Sequence, residues 1–296
     1  DLPALPAWIT PAVLPKRAKL LFGGQAKVGK SLIAMEVGRA LATGNSPFDS
    51  PVFSVPRPAR VLMIDSEVGK YGLQDRAKLM YAHENRQLLR ENFFYATEEP
   101  KMKFDGPTGT GFKMIKDLVK DVAPEVLIID PIGKMHGYDE NSNSDIMKLM
   151  DQVDILKKLG ETQDMSIIFS HHFGKPNREW NHETDPNFDI RLSPYAFRGA
   201  SKFFDDADSV ATMVVTEEHG KGLERWWKIR SRWTLRRGAP FEDIYLEINR
   251  NQDLRARHAW QVGERAKPIS YADQPRPKKP KTDLPLPEQL LFTPAT

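Results

Sequence analysis

Residues 24–31 read Gly24-Gln25-Ala26-Lys27-Val28-Gly29-Lys30-Ser31. This is a complete G-x-x-x-x-G-K-[ST] phosphate loop. An apolar run, Leu20-Leu21-Phe22, precedes it, and a helical pattern follows at Leu32, Ile33, Val37, Ala40 and Leu41. The flanks matter more than the string, because such a loop works only between a strand and a helix N-terminus. There, successive backbone N–H groups and the positive end of the helix dipole face the phosphates. The stretch therefore predicts a nucleoside triphosphate cradle running from Gly24 through Leu32. Within it Lys30 reaches the β- and γ-phosphates and the Ser31 hydroxyl holds Mg²⁺. The competing reading is a chance match in a glycine-rich turn, and the strand and helix on either side argue against it.

Outward from the loop, strands and helices alternate. Arg60–Asp65 (Arg-Val-Leu-Met-Ile-Asp) reads as a buried strand, and a helix follows around Leu73–His83. Phe93–Ala96 is a short strand, and residues 112–122 have helical spacing. Val126–Asp130 (Val-Leu-Ile-Ile-Asp) is a second strongly apolar strand, Asp145–Leu159 a helix, and Ser166–Ser170 a third core strand. Ser209–Thr216, Leu223–Ser231 and Phe241–Ile248 read as later strands, the last two as a hairpin. Continuous apolar strands separated by helices predict an α/β fold with a mostly parallel sheet covered on both faces. Two long loops, 131–144 and 173–197, leave the carboxyl ends of core strands, where open α/β sheets bind ligands. From about residue 267 the Pro- and Lys-rich composition predicts a disordered tail.

The 296 residues suffice for one α/β domain with tails. No apolar run nears the length of a membrane span, so no membrane partner is expected. The chain has no cysteine, which excludes disulfides and thiolate metal sites. No signal peptide is legible after Asp1, and a preceding domain stays open. The net charge of +3 favours nucleic acid only weakly, but its distribution says more. Between 221 and 237 stand Lys221, Arg225, Lys228, Arg230, Arg232, Arg236 and Arg237 against the single acid Glu224, interleaved with Trp226, Trp227 and Trp233. Basic and aromatic residues together suit phosphate contact and base stacking. A solvated strand pair over a tryptophan core is the equal alternative.

The strand ends carry the chemistry. Four apolar residues and then Asp130 make a Walker B pattern, whose carboxylate is suited to holding Mg²⁺ through water beside Ser31. In Asp65-Ser66-Glu67 an extended backbone would point both acids the same way. Glu67 is the candidate base that orients and deprotonates the attacking water. The alternative is a strand-end acid facing solvent or capping a helix. Ser170-His171-His172 ends the third core strand; adjacent histidines point to opposite sides, and one of them suits the γ-phosphate.

Taken in order, these pieces resemble a family. They are a Trp8-Ile9 leader, Leu14-Pro15-Lys16, the stretch Leu20 to Ser31, Val61 to Glu67, Leu127 to Ile132, and the Ser-His-His strand end. Arg198-Gly199-Ala200-Ser201, Ala207 to Val210 and Lys228 to Arg232 complete the set. Over roughly residues 8–250 the chain resembles the RecA-like P-loop ATPases of the RepA/DnaB-type hexameric replicative helicase group, the RepA-like branch especially. The resemblance implies a RecA-like ATPase domain over 20–250. It leaves 1–19 as an N-terminal leader and 251–296 as a C-terminal extension. It implies ATP and Mg²⁺ as cofactors, Glu67 as catalytic base, Arg76 stacked on the adenine, and His172 toward the γ-phosphate with His171 as rival. Lys228, Arg230 and Arg232, with Arg198 as a second choice, are candidates for a finger acting on the neighbouring subunit's nucleotide. A homo-oligomeric, hexameric ring would grip single-stranded DNA through Lys134, His136, Lys175 and Arg178, in a cytoplasmic replication setting of bacterial, phage or plasmid type. The acids of the 173–197 loop and the lack of a helical collar or primase module depart from the DnaB pattern. Three functions follow for test: a helicase-type motor, a recombinase-like DNA-binding ATPase, and an ATP-governed assembly switch without DNA.

Overall fold

The computed structural model describes residues 6–82, 84–97, 102–159, 165–172, 192, 202–236, 242–250, 252–259 and 291–292. In chain order the N-terminal half gives β1 (Ala7–Ile9), β2 (Leu14–Pro15), β3 (Lys19–Gly24), α1 (Lys30–Thr43), β4 (Val61–Asp65), α2 (Gly69–Met80), α3 (Arg86–Asn92) and β5 (Phe93–Thr97). Then come α4 (Thr110–Val122), β6 (Val126–Asp130), α5 (Asn143–Lys157), β7 (Ser166–His172) and α6 (Lys202–Asp206). The chain closes with β8 (Ser209–His219), β9 (Trp226–Leu235), β10 (Ile244–Asn249), β11 (Ala256–Ala259) and a two-residue β12 (Leu291–Phe292). Among the described residues no helix is long and apolar enough to cross a membrane.

Ten strands form one sheet in the order β11-β10-β9-β8-β3-β7-β6-β4-β5-β12. Neighbours from β8 to β12 run parallel, and β8 through β11 form an antiparallel meander. The apolar runs that read as continuous in sequence are sorted by the two-residue strand period. Leu20, Phe22, Val61, Met63, Val126 and Ile128 face the layer of α1 and α2, with Leu73 and Ala77 of α2 in the same cluster. Leu21, Leu62, Ile64, Leu127 and Ile129 face the layer of α4, α5 and α6. Each fully buried Leu or Ile contributes about 1.5–3 kcal/mol, so a sheet covered on both faces doubles the yield per strand.

The meander is longer than the expected hairpin. β9 begins at Trp226, after a short 3₁₀ turn at Gly222–Glu224, and ends at Leu235 rather than Ser231. β11 carries the same sheet beyond residue 250. The residue just before it ties the chain to the phosphate-loop helix: Arg255 pairs with the fully buried Glu36 at 3.1 Å, and Arg39 binds the same carboxylate at 2.7 Å. At the other end, β1 pairs with β2, and Trp8, Ile9, Val13 and Leu14 are buried in the core, so the leader from Ala7 onward packs as part of the domain. Helix α3, absent from the sequence reading, is a short helix started by Asn85, whose side chain accepts from the amides of Gln87 and Leu88.

Parallel register sets the site. β3 pairs Gly24 with His172, and Phe22 with Ser170, of β7. β4 pairs Asp65 with Asp130 of β6. The phosphate loop, the Ser-His-His end and both strand-end aspartates therefore leave one edge of the sheet together, with β7 between the loop strand and the Asp130 strand.

Candidate active site

The phosphate loop leaves β3 and enters α1 through Gly29, whose φ of 109° is open to glycine and strained for other residues. No side chain caps the start of α1, and its first turn holds no acid. First-turn amides of a helix have no intrahelical acceptor, so this end is built to take an anion. Lys30 is buried, and its ammonium donates to Gly24 O at 2.9 Å and Gln25 O at 3.0 Å. Its third neighbour is His172 Nδ1 at 3.1 Å. Three donors thus meet three acceptors, provided His172 is neutral with its proton on Nε2. Burial, and then the Lys30 charge, lower the His172 pKa, which favours that neutral form. Burial also lowers Lys30 itself to about 8, against the opposing pull of Asp130 and Glu67.

The adjacent histidines do separate. His171 is buried and stacks on Phe203 at 4.5 Å, whereas His172 turns to the phosphate loop. Asp130 is buried and accepts a short hydrogen bond from Ser170 Oγ, while its Oδ2 is buried with no hydrogen-bond partner. A buried carboxylate oxygen without a donor is costly and fits a cation nearby. Among the described residues no cluster of three or more His, Asp or Glu could hold a metal alone. One carboxylate, one hydroxyl, water and phosphate oxygens would make an all-oxygen donor set, the kind that fits Mg²⁺. Ser31 lies in the first turn of α1 and is half-buried.

Asp65 and Glu67 do not lie side by side as extended spacing implies. The strand ends at Asp65 and the chain bends at Ser66. Asp65 turns inward, and its Oδ1 accepts from the amides of Glu67 at 3.2 Å, Val68 at 2.7 Å and Gly69 at 3.1 Å. Burial, reinforced by Asp130, raises its pKa against those three amides. Asp65 therefore anchors the turn that carries Glu67. Glu67 itself is exposed and pairs with Lys134 Nζ at 3.3 Å. Ser66 ties the two strand ends together, its N–H donating to Asp130 O at 3.0 Å and its hydroxyl to Pro131 O at 3.0 Å. Arg76 stands on α2 with Nη1 buried and without a hydrogen-bond partner, a donor that a ligand would satisfy.

The remaining candidates divide. Lys134 closes a short 3₁₀ turn after β6. His136 is half-buried, accepts the Tyr138 amide at 3.2 Å on Nδ1 and stacks on the Tyr138 ring, so it turns into its own loop. Lys228, Arg230 and Arg232 alternate along β9 and share one face; Lys228 pairs with Glu217 at 3.4 Å, and Arg230 and Arg232 pair with Asp243 at 2.6 and 2.9 Å. The opposite face carries Trp227 and Trp233 into the core. Of the two readings of this segment, the tryptophan core holds for those two residues, while Trp226 stays half-buried with Lys228 5.2 Å from its ring. Lys175, Arg178 and Arg198 lie outside the described residues. Sequence reasoning missed the roles of Ser170, Asp65 and Trp227. Ser170 and Trp227 depend on how distant strands come together and Asp65 on the bend at Ser66; only the alternation of Trp227 with Ile229 hinted at an inward face.

A phosphate loop, a carboxylate-bearing Walker B strand and a strand inserted between them define a RecA-like P-loop ATPase. The chain belongs to the AAA domain family, whose model matches residues 2–178. Two solved structures share the fold. One is the flagellar accessory protein FlaH from Methanocaldococcus jannaschii, 12% identical with a TM-score of 0.51 over 83% of this chain and 91% of that one. The other is a KaiC-like protein from the hyperthermophilic archaeon Pyrococcus horikoshii OT3, 13% identical with a TM-score of 0.50 and the same shares of each chain. No curated protein sequence matches this chain.

Proposed function

We propose that the protein is an ATP-hydrolysing oligomeric motor that acts on single-stranded DNA, akin to the RepA/DnaB-type helicases. The observation that carries ATP hydrolysis is the convergence of Lys30, His172, Asp130 and Glu67 at one sheet edge beside an uncapped helix start. Ser31 and Asp130 would hold Mg²⁺, which supplies charge neutralisation at the phosphate oxygens. Lys30 would exchange its backbone acceptors for phosphate oxygen. Glu67 would take a proton from the attacking water once freed from Lys134. His172, hydrogen-bonded to Lys30, would register the terminal phosphate, and Arg76 would stack on the base.

The DNA and ring parts of the reading are supported by the half-buried basic row Lys228, Arg230 and Arg232 beside Trp226, on the face turned away from the core. One of these cations would act on the neighbouring subunit's nucleotide, as fingers in trans do. Lys134, with Lys175 and Arg178, would meet DNA phosphates in a cytoplasmic setting; His136, turned onto Tyr138, would not. Steady-state ATPase assays with and without single-stranded oligonucleotide, paired with native mass spectrometry, test the proposal. Stimulation by DNA and a closed ring are expected. An ATPase indifferent to DNA would instead support an assembly switch, and an open filament a recombinase-like ATPase.

A further inference from the structure

The phosphate loop is braced from outside by the antiparallel strands. Trp227 of β9 is buried, and its indole N–H donates to Val28 O at 3.0 Å; Val28 is buried as well. The Arg225 guanidinium lies 4.3 Å from the centre of the Trp227 ring, reaches Lys27 O at 3.5 Å, and is anchored by Glu218 at 2.7 Å. A methyl group at Gly29 would stand 3.0 Å from Ile248 Cδ1 and 3.6 Å from both Ile229 Cδ1 and Trp227 Cζ2. Val28 and Gly29 thus rest on β9 and β10, and Lys27 on Arg225 just before β9.

The peptide linking Val28 and Gly29 gives this brace a consequence. In a trans peptide the carbonyl and the following N–H point in opposite directions. A cradle needs N–H groups turned inward, so the matching carbonyl must turn outward. At Val28 that outward direction is protein interior, where a carbonyl without a donor is costly. The loop also holds positive φ at Lys27 (67°), a conformation that costs a non-glycine residue energy and needs support from its surroundings.

We propose that Trp227 is a positioning residue that sets affinity for polyphosphate by holding the Val28–Gly29 peptide with its N–H turned into the cradle. The inference rests on the ATPase reading above and adds the residue that fixes the loop. Neither Lys30 nor Glu67 touches Trp227 among the contacts described, so the brace governs binding rather than the chemical step.

Trp227→Phe keeps an aromatic ring and removes the donor. We expect KM for ATP and Kd for ADP to rise about tenfold, the effect of one orphaned buried carbonyl. We expect kcat at saturation to stay within about twofold. A merely structural defect would do the reverse, lowering kcat through the unfolded fraction while KM stays put. Unchanged KM and Kd in a folded Trp227→Phe protein, or a drop in kcat alone, overturns the proposal. A readout on the wild-type chain guards against a variant that fails to fold. With ¹⁵N-labelled tryptophan, the Trp227 indole proton should exchange slowly with solvent and shift when ADP is added. A signal that exchanges as freely as an exposed indole and ignores ADP overturns the brace. Wild-type protein that binds no ADP at all would remove the ATPase reading, and this inference with it.

Discussion

A buried lysine ammonium must find acceptors, and Lys30 finds two of them in the loop that it serves. Binding of polyphosphate is therefore an exchange of partners within one cradle. Burial lowers the Lys30 amine to about 8. Below that pH the free site carries the ammonium; above it the neutral amine must take up a proton when phosphate enters. ADP affinity, measured with EDTA present so that no metal charge intervenes, should hold below pH 8 and weaken as pH rises beyond it. A flat profile from about pH 7 to about 9.5 would contradict this. Lys30→Ala should abolish turnover, since it removes the cation on the transferring group; hydrolysis at the wild-type rate would defeat the assignment. Glu67→Gln keeps shape and loses basicity. It should still bind ATP, shown by filter binding, while turnover drops about 10²–10⁴-fold.

Helix α1 serves the site and the core at once, and its packing tolerates little change. A methyl group at Gly38 would lie 2.3 Å from the Phe93 ring, which is itself buried and packed on Tyr95 at 4.4 Å. Gly38→Ala should cost about 1–3 kcal/mol through overpacking, despite the better helix propensity of alanine. Urea unfolding at neutral pH checks the sign. Two residues earlier in the same helix, Glu36 is fully buried between Arg39 and Arg255. Arg255→Ala leaves Glu36 with Arg39 as its counter-charge and removes two hydrogen bonds to a buried carboxylate, so it should lower stability by about 1–3 kcal/mol. Urea unfolding checks this too; a variant as stable as the parent would show that the Arg255–Glu36 contact adds nothing to stability.

For the molecule as a whole, β9 joins two surfaces. Its inner face braces the phosphate loop through Trp227, and its outer face carries Lys228, Arg230 and Arg232. If Arg230 acts across a subunit boundary, mixing Arg230→Ala with Lys30→Ala chains should restore some turnover. Hybrid interfaces then pair an intact phosphate loop with an intact arginine. Equal inactivity of mixed and separate samples would assign Arg230 to its own subunit, where Asp243 already holds it at 2.6 Å.

Local chemistry was legible without coordinates: a phosphate loop needs no partner strand to be recognised, and short, β-branched apolar runs ending in Asp65 and Asp130 read as core strands. The fold class and the identity of the loop residues followed from that. What sequence spacing cannot supply is register. Asp65 reads as the twin of Glu67, yet the bend at Ser66 makes it the anchor of the turn, because three amides needed an acceptor. His172 and His171 are equivalent neighbours on paper; pairing of β7 with β3 sets one on Lys30, and the other stacks on Phe203. Trp227 stands 199 residues from Val28 in the chain, and only the folding of the antiparallel meander against the loop brings the indole to that carbonyl.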